Sequence, residues 1–119
     1  MNSYRDLIVW QKAMDLVEEV YRLVKQLPRE EQYALSDQLR RAVVSIPSNI
    51  AEGYGRNAAK EYARFLNIAR GSKHEVETQL LICVRLQYLK EPDIALAMSL
   101  SDEIGKMLNS LISKLLPTA

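Results

Sequence analysis

The chain has 119 residues, of which 26% are charged, and a formal net charge of +1 at pH 7. A chain of this length is expected to form one domain, residues 1–119, around one hydrophobic core. Its single cysteine excludes an intramolecular disulfide, and charges interrupt every apolar stretch before the roughly 18 residues that a membrane helix requires. The sequence therefore predicts a cytoplasmic protein with no membrane partner.

The first predicted helix spans about residues 7–27. Asp6 is the expected N-cap, and Pro28 ends the helix because the residue before a proline disfavours helical geometry. Apolar residues recur three or four positions apart, which is typical of one buried stripe. These residues are Leu7, Trp10, Met14, Val17, Val20 or Tyr21, and Val24.

The second predicted helix spans about residues 29–51 and contains a proline. Pro47 lacks the N–H that would bond the carbonyl of Val43, at a cost of roughly 3 kcal/mol in a helix interior. Ser45, Ser48 and Asn49 are expected to offset this cost by bonding to nearby backbone groups, so that the helix bends or restarts at Pro47.

Residues 45–53 form a motif with two possible roles. In the structural interpretation they set the course and the end of the second helix, with Gly53 or Gly55 as a left-handed cap. In the functional interpretation Asn49, Glu52 and Tyr54 contribute to a site, because Tyr54 lies beside Arg56, where an aromatic ring and a cation could meet a nucleotide. The residues assigned to the structural motif are Ser45, Pro47, Ser48, Asn49, Glu52 and Gly53.

The third predicted helix spans about residues 58–89, with Asn57 as its expected cap. Gly71 lies in its middle beside Ala69 and Ser72, which indicates either a close approach by a neighbouring helix or a local bend. The predicted inward-facing residues are Tyr62, Phe65, Ala69, Ser72, Val76, Leu80, Cys83 and Leu86.

A fourth helix is predicted over about residues 93–116, after a break at residues 91–93. No stretch of the chain alternates polar and apolar residues with a period of two, and the connections between helices are short. The predicted fold is therefore all-α, an antiparallel up-down-up-down four-helix bundle.

Residue types that enzymes commonly use are scarce. His74 has no second histidine to complete a zinc-binding or di-metal helix motif, and Cys83 lies in an apolar run and is interpreted as a packing residue. We therefore expect no enzyme activity, catalytic residue, metal or cofactor. An enzyme that uses carboxylates such as Glu52 and Glu61 is the remaining alternative.

Basic residues concentrate in the middle of the chain. Between residues 40 and 73, seven Lys and Arg against two Glu give a charge of +5, which is a hint of an anionic partner. At 100° per residue, most of those on the third helix share one side, opposite its apolar seam. Leu66 and Leu81 fall on or beside this side, which favours a second contact surface between subunits. The candidate nucleic-acid-binding residues are Arg40, Arg41, Arg56, Lys60, Arg64 and Arg70.

Several segments together resemble the four-helix-bundle family of 23S rRNA intervening-sequence proteins. They are YRDLIVWQKA at residues 4–13, QLRRA at 38–42, SIPSNIAEG at 45–53, EYARFLNIARGS at 61–72 and ETQL at 77–80. The resemblance implies an up-down bundle that assembles as a homopentamer. It extends to the accessory variability proteins of diversity-generating retroelements, basic pentameric barrels that bind nucleic acid and a reverse transcriptase.

Two functional hypotheses follow from the residues and this resemblance. The preferred one is a non-catalytic, pentameric protein that binds RNA or DNA phosphates through the six basic residues, without reading base sequence. The alternative is a protein-interaction scaffold, in which the same bases pair with acidic residues of neighbouring subunits or of another protein, such as a reverse transcriptase.

Overall fold

The computed structural model describes residues 3–117. Four α-helices form within this range and no strand does, so the all-α prediction is confirmed. None of the helices described is long and apolar enough to cross a membrane. The α-helices are α1 (Ile8–Val24), α2 (Leu35–Tyr54), α3 (Ala59–Arg85) and α4 (Glu91–Leu115), and short 3-10 helices cover Tyr4–Asp6 and Arg29–Glu31.

The bounds of the first two helices differ from the prediction: α1 ends at Val24 and not at about residue 27, and α2 begins at Leu35 and not at about residue 29. α1 begins after Leu7, which has extended geometry and no side-chain cap, so the prediction that Asp6 caps it is wrong. Ser3 instead caps the preceding 3-10 helix, because its Oγ accepts the N–H of Arg5 at 3.1 Å. Residues 29–31 form a separate 3-10 helix, and the Leu35 N–H at the start of α2 donates to Glu31 Oε1 at 3.2 Å.

The starts of α3 and α4 also differ from the prediction. α3 begins after Ala58, which is extended and makes no side-chain cap, so Asn57 does not cap this helix. α4 begins at Glu91, and Asp93 Oδ2 accepts the Lys90 N–H at 2.8 Å. Pro92 therefore lies in the first turn of α4, where its missing N–H costs nothing, and it does not separate two elements.

Each α-helix packs against two others around a common core. α1 and α3 each contact both α2 and α4, and the α2–α3 contact is the most extensive. Side-chain hydrogen bonds join α2 to α3, one between Gln38 and Gln79 and one between Ser45 and Ser72. The fully buried core side chains include Leu16, Val20, Leu39, Val43, Ile46, Ile50, Leu66, Leu80, Ile94, Ile104 and Leu108.

The buried face of α3 includes most of the predicted seam and differs from it at the two ends of the helix. The predicted residues that are buried are Ala69, Ser72, Val76, Leu80 and Cys83. Leu66, predicted to lie on a second contact surface, is 0% exposed, whereas Leu86, predicted to face inward, is 51% exposed. Phe65 is only partly buried. Leu81 is exposed, as expected for a residue outside the core. Spacing therefore predicts the middle of the buried face, and at its ends the packing of α3 against α2 and α4 differs from the prediction.

The two helical glycines at positions 53 and 71 have opposite environments. No glycine within residues 3–117 has a positive φ, so neither Gly53 nor Gly55 is a left-handed cap. Gly53 is buried in the last turn of α2, and a Cβ placed there would lie 2.8 Å from Phe65 Cβ and 3.1 Å from the Tyr62 carbonyl oxygen. A Cβ on Gly71 would meet no atom of the described residues within 4 Å. The neighbouring helix approaches closely beside it, at Ser72, whose Oγ lies 2.8 Å from Ser45 Oγ, and again at Gly53.

This contrast predicts opposite effects for the same substitution. Gly53→Ala should destabilise the fold by roughly 1–3 kcal/mol, because the backbone of α3 must move away from the new methyl group. Gly71→Ala should stabilise it by roughly 0.5–1 kcal/mol, since it removes only the entropic cost of glycine in a helix. Urea unfolding of both variants measures the difference, and equal effects at the two sites would contradict the packing described.

Candidate nucleic-acid interface

The motif at residues 45–53 is part of one continuous helix. α2 runs through Pro47 without interruption, so the prediction that the helix restarts and is capped there is wrong. Ser48 Oγ donates to the Val44 carbonyl at 2.8 Å, and Asn49 Nδ2 donates to the Ser45 carbonyl at 2.8 Å. The side chains thus supply hydrogen-bond donors to carbonyls next to the position where the proline removes one.

Other residues of the motif connect α2 to its surroundings. Ser45 Oγ and Ser72 Oγ are 2.8 Å apart, which links α2 to α3. Glu52 forms an ion pair with Arg56, with 2.7 Å between Oε2 and Nη2. Pro47 is buried and lines an apolar groove between α1 and α2, together with Tyr4, Trp10, Met14, Val17, Val44, Ser48 and Ala51.

The candidate bases of α2 share one carboxylate. Arg41 Nε lies 3.1 Å from Asp37 Oδ2, yet its side chain is 81% exposed. Arg40 Nη2 donates to the carbonyl of Gln32 at 3.1 Å and lies 4.0 Å from Asp37 Oδ1. Both guanidinium groups therefore remain accessible near the start of α2.

Two further bases form a cluster where α2 ends and α3 begins. Arg64 pairs with Glu61 at 3.2 Å, as Arg56 does with Glu52. Both guanidinium groups also lie over the Phe65 ring, at 4.9 Å from its centroid for Arg56 and 4.6 Å for Arg64. Cation–π contact and ion pairing together hold these two arginines in place.

The last two candidate bases have no carboxylate partner in the described part of the chain. Lys60 is exposed on the first turn of α3. Arg70 donates to two amide oxygens, from Nη1 to Asn109 Oδ1 at 2.7 Å and from Nη2 to Asn67 Oδ1 at 2.6 Å. The structure thus spreads the predicted bases along α2 and α3 and gives them different electrostatic environments.

Tyr54, the aromatic residue of the functional interpretation, packs against the core. Its ring contacts that of Tyr62 edge to face, with 6.1 Å between centroids. Burial raises the pKa of Tyr62, with a smaller contribution from Tyr54. Tyr54 therefore packs the end of α2 and is partly buried.

Sequence reasoning missed a buried polar network between α3 and α4. Lys73 is only 8% exposed, its Nζ lies 2.7 Å from Glu77 Oε2, and Ser101 Oγ donates to the same oxygen. The lysine stem fits because residue 105 is glycine, where a Cβ would lie 2.6 Å from Lys73 Cε. Burial alone would raise the pKa of Glu77, but the hydrogen bonds from Lys73 and Ser101 outweigh it and lower that pKa.

The sequence carried no signal for this network, because lysine at a helical position is usually exposed. The one sequence feature that agrees with this network is the glycine at position 105, which leaves room for the Lys73 side chain. Among residues 3–117 no group of three or more His, Cys, Asp or Glu side chains is placed to hold a metal ion.

Residues 5–110 match the family described as 23S rRNA-intervening sequence protein. The chain belongs to this family. Among solved structures, it is similar to a protein of unknown function from the S23 ribosomal protein family of Bacteroides thetaiotaomicron. The two share 28% sequence identity and a TM-score of 0.81, over 88% of this chain and 98% of that one. No protein of established function matches. The family resemblance carried by the sequence motifs is thus confirmed.

Cys83 is buried, and this environment predicts low reactivity of its thiol. Burial raises the pKa of the Cys83 thiol to about 11, so little thiolate forms at neutral or mildly alkaline pH. The folded protein at pH 8 should react with a disulfide reagent at least about tenfold more slowly than the same chain in denaturant. Absorbance of the released thiol measures both rates, and equal rates would contradict the burial described.

Proposed function

We propose that this protein is a non-catalytic, oligomeric four-helix-bundle protein of the cytoplasm, which binds structured RNA or DNA through basic residues of α2 and α3. The observation that carries the nucleic-acid part is the solvent access of all six candidate bases. Arg40 and Arg41 lie on α2, Lys60, Arg64 and Arg70 on α3, and Arg56 in the connection between these two helices, which pack against each other. We refer to these six residues as the basic surface. Contacts between these basic residues and phosphate groups would orient a nucleic acid without reading its base sequence.

An antiparallel up-down-up-down arrangement of the bundle is supported by the pairing of side chains between helices. As residue numbers rise along α2 from Gln38 to Ser45, those of their α3 partners fall from Gln79 to Ser72. On α3 and α4, Arg70 meets Asn109 and Glu77 meets Ser101, again in opposite directions. Short connections between consecutive helices favour the same arrangement.

Assembly into a homopentamer is supported by the apolar surface that one chain leaves open. The α1–α2 groove includes Met14 and Val44, which are 39% and 40% exposed. On α3, Leu81, Ile82 and Leu86 are also exposed. Two separate apolar surfaces on one chain favour head-to-tail contacts, and such contacts close into a ring when the rotation between subunits allows it.

The ion pairs favour the alternative function, a protein-interaction scaffold. Arg56 and Arg64 each have a carboxylate of their own, and Arg40 and Arg41 share Asp37. These acids reduce the net positive charge that a phosphate backbone would meet. A scaffold would use the same groups for pairing with a partner protein, and would show no affinity for nucleic acid.

Salt-dependent binding of a labelled structured RNA tests the proposed function. If all six bases neutralise phosphates of a duplex, affinity should fall about 10³-fold between about 50 and 200 mM salt. Lys60→Gln, which removes an exposed base without breaking an ion pair, should lower the log–log salt slope by roughly 0.7–0.9. Arg85→Gln, at an exposed position in the last turn of α3 that, among residues 3–117, lines no pocket with any of the six bases, is the matched control and should leave the slope unchanged.

Failure of the wild-type protein to bind RNA or duplex DNA at about 50 mM salt would overturn the nucleic-acid function and leave the scaffold. Equal effects of Lys60→Gln and Arg85→Gln would instead show that binding does not use the basic surface.

The mass of the assembly tests the pentamer. Light scattering should give five times the 13.6 kDa chain mass. Val44→Asp places a charge in the α1–α2 groove, and should lower the mass while circular dichroism stays helical. Tyr33→Asp, an exposed site outside the groove, should keep the pentamer. A monomeric wild type, or an unchanged mass for Val44→Asp, would contradict the assembly or the role of the groove.

A further inference from the structure

Arg70 is fixed in position by neutral groups on two helices. Its Nη2 donates to Asn67 Oδ1 on α3 at 2.6 Å, and its Nη1 donates to Asn109 Oδ1 on α4 at 2.7 Å. The side chain is partly buried, and its guanidinium group spans the junction of the two helices. We refer to Arg70, Asn67 and Asn109 as the arginine clamp.

The clamp differs from the other arginines of the basic surface in its charge. Each of the other four lies beside a carboxylate, whereas among residues 3–117 the partners of Arg70 are amide oxygens only. The positions one helical turn from Arg70 and from Asn109 carry no acid. They hold Leu66, Asn67, Lys73 and His74 on α3, and Gly105, Lys106, Ile112 and Ser113 on α4. The guanidinium charge is thus oriented but not neutralised.

The chemistry of this arrangement suits a phosphate group. A guanidinium carries five N–H donors in a planar fork, and the two amides use one on each terminal nitrogen. The remaining donors can bind an oxyanion through two parallel hydrogen bonds. Because no ion pair has to break, an anion gains the full attraction of the charge. At Arg56 or Arg64, the neighbouring carboxylate would have to move or would repel the phosphate.

We propose that the arginine clamp is a phosphate-binding position, and that its physiological occupant is a phosphodiester group of a nucleic acid. The phosphate site stands on the clamp geometry alone, whereas the nucleic-acid occupant rests on the proposed function. Asn67 and Asn109 are positioning residues, since they orient the guanidinium and need not touch the phosphate. Their removal should weaken binding even though the charge of the protein does not change.

Asn109→Asp is the sharpest test of the clamp. The substitution is nearly isosteric and gives Arg70 a carboxylate partner, which would occupy and neutralise it. Ser110→Asp is the matched control, because it adds the same charge at the adjacent exposed position without facing Arg70. Labelled structured RNA should bind Asn109→Asp at least about tenfold more weakly, with a salt slope lower by roughly 0.7–0.9, and Ser110→Asp less than about threefold more weakly.

Inorganic tripolyphosphate is a second probe that does not depend on the nucleic-acid function. Its titration should shift the Arg70 Nε resonance in the NMR spectrum of the wild-type protein, and Asn109→Asp should abolish the shift. Asn109→Ala leaves the charge unchanged and should weaken both RNA and tripolyphosphate binding. Thermal melting of each variant checks that its fold is intact.

The outcomes separate the two proposals. A tripolyphosphate shift at Arg70 without any RNA binding would support the clamp and overturn the nucleic-acid function. RNA binding that Asn109→Asp and Ser110→Asp weaken equally would support the function and overturn the clamp. Absence of any tripolyphosphate shift at Arg70 in the wild-type protein would also overturn the clamp.

Discussion

The close contact between α2 and α3 determines where the candidate surface lies. Gly53 has no side chain, so the Phe65 Cβ can occupy space that any other residue at position 53 would fill. Further along the same contact, the hydroxyl groups of Ser45 and Ser72 bond to each other where larger side chains would keep the helices apart. With the helices this close, Phe65 reaches the end of α2, where Arg56 and Arg64 both pack on its ring.

The proline of α2 is accommodated without an end to the helix. Pro47 removes one backbone donor, and Ser48 and Asn49 add two side-chain donors to carbonyls one and two residues beyond that of Val43. Neither side chain is then needed to cap a new helix, and α2 stays continuous up to Tyr54. The proline ring is left free to line the α1–α2 groove, so the motif serves both the helix and an apolar surface.

Sequence periodicity predicted the four helices and most of the core, because burial of one stripe per helix is a local property. Periodicity failed where the burial of a side chain depends on residues that are distant in the sequence. Phe65 is larger than Leu66 and was assigned to the core, yet the flat ring is covered by guanidinium groups and the leucine is buried. The buried Lys73 and the clamp on Arg70 depend on Gly105 and Asn109, more than 30 residues away in the chain. The spacing of residues within one helix cannot predict a contact between residues so far apart in the chain.

The candidate bases therefore differ in what an anion gains from them. Exposed ion pairs contribute about 0–1 kcal/mol, so Arg41, Arg56 and Arg64 can leave their carboxylates at little cost. The released carboxylate, however, stays within a few ångströms of the incoming phosphate and repels it, and salt weakens attraction and repulsion together. Lys60 and Arg70 carry no such opposing charge, but Lys60 must lose side-chain freedom on binding and Arg70 is already held. A protein of nearly neutral net charge can thus concentrate affinity for phosphate at one prearranged guanidinium.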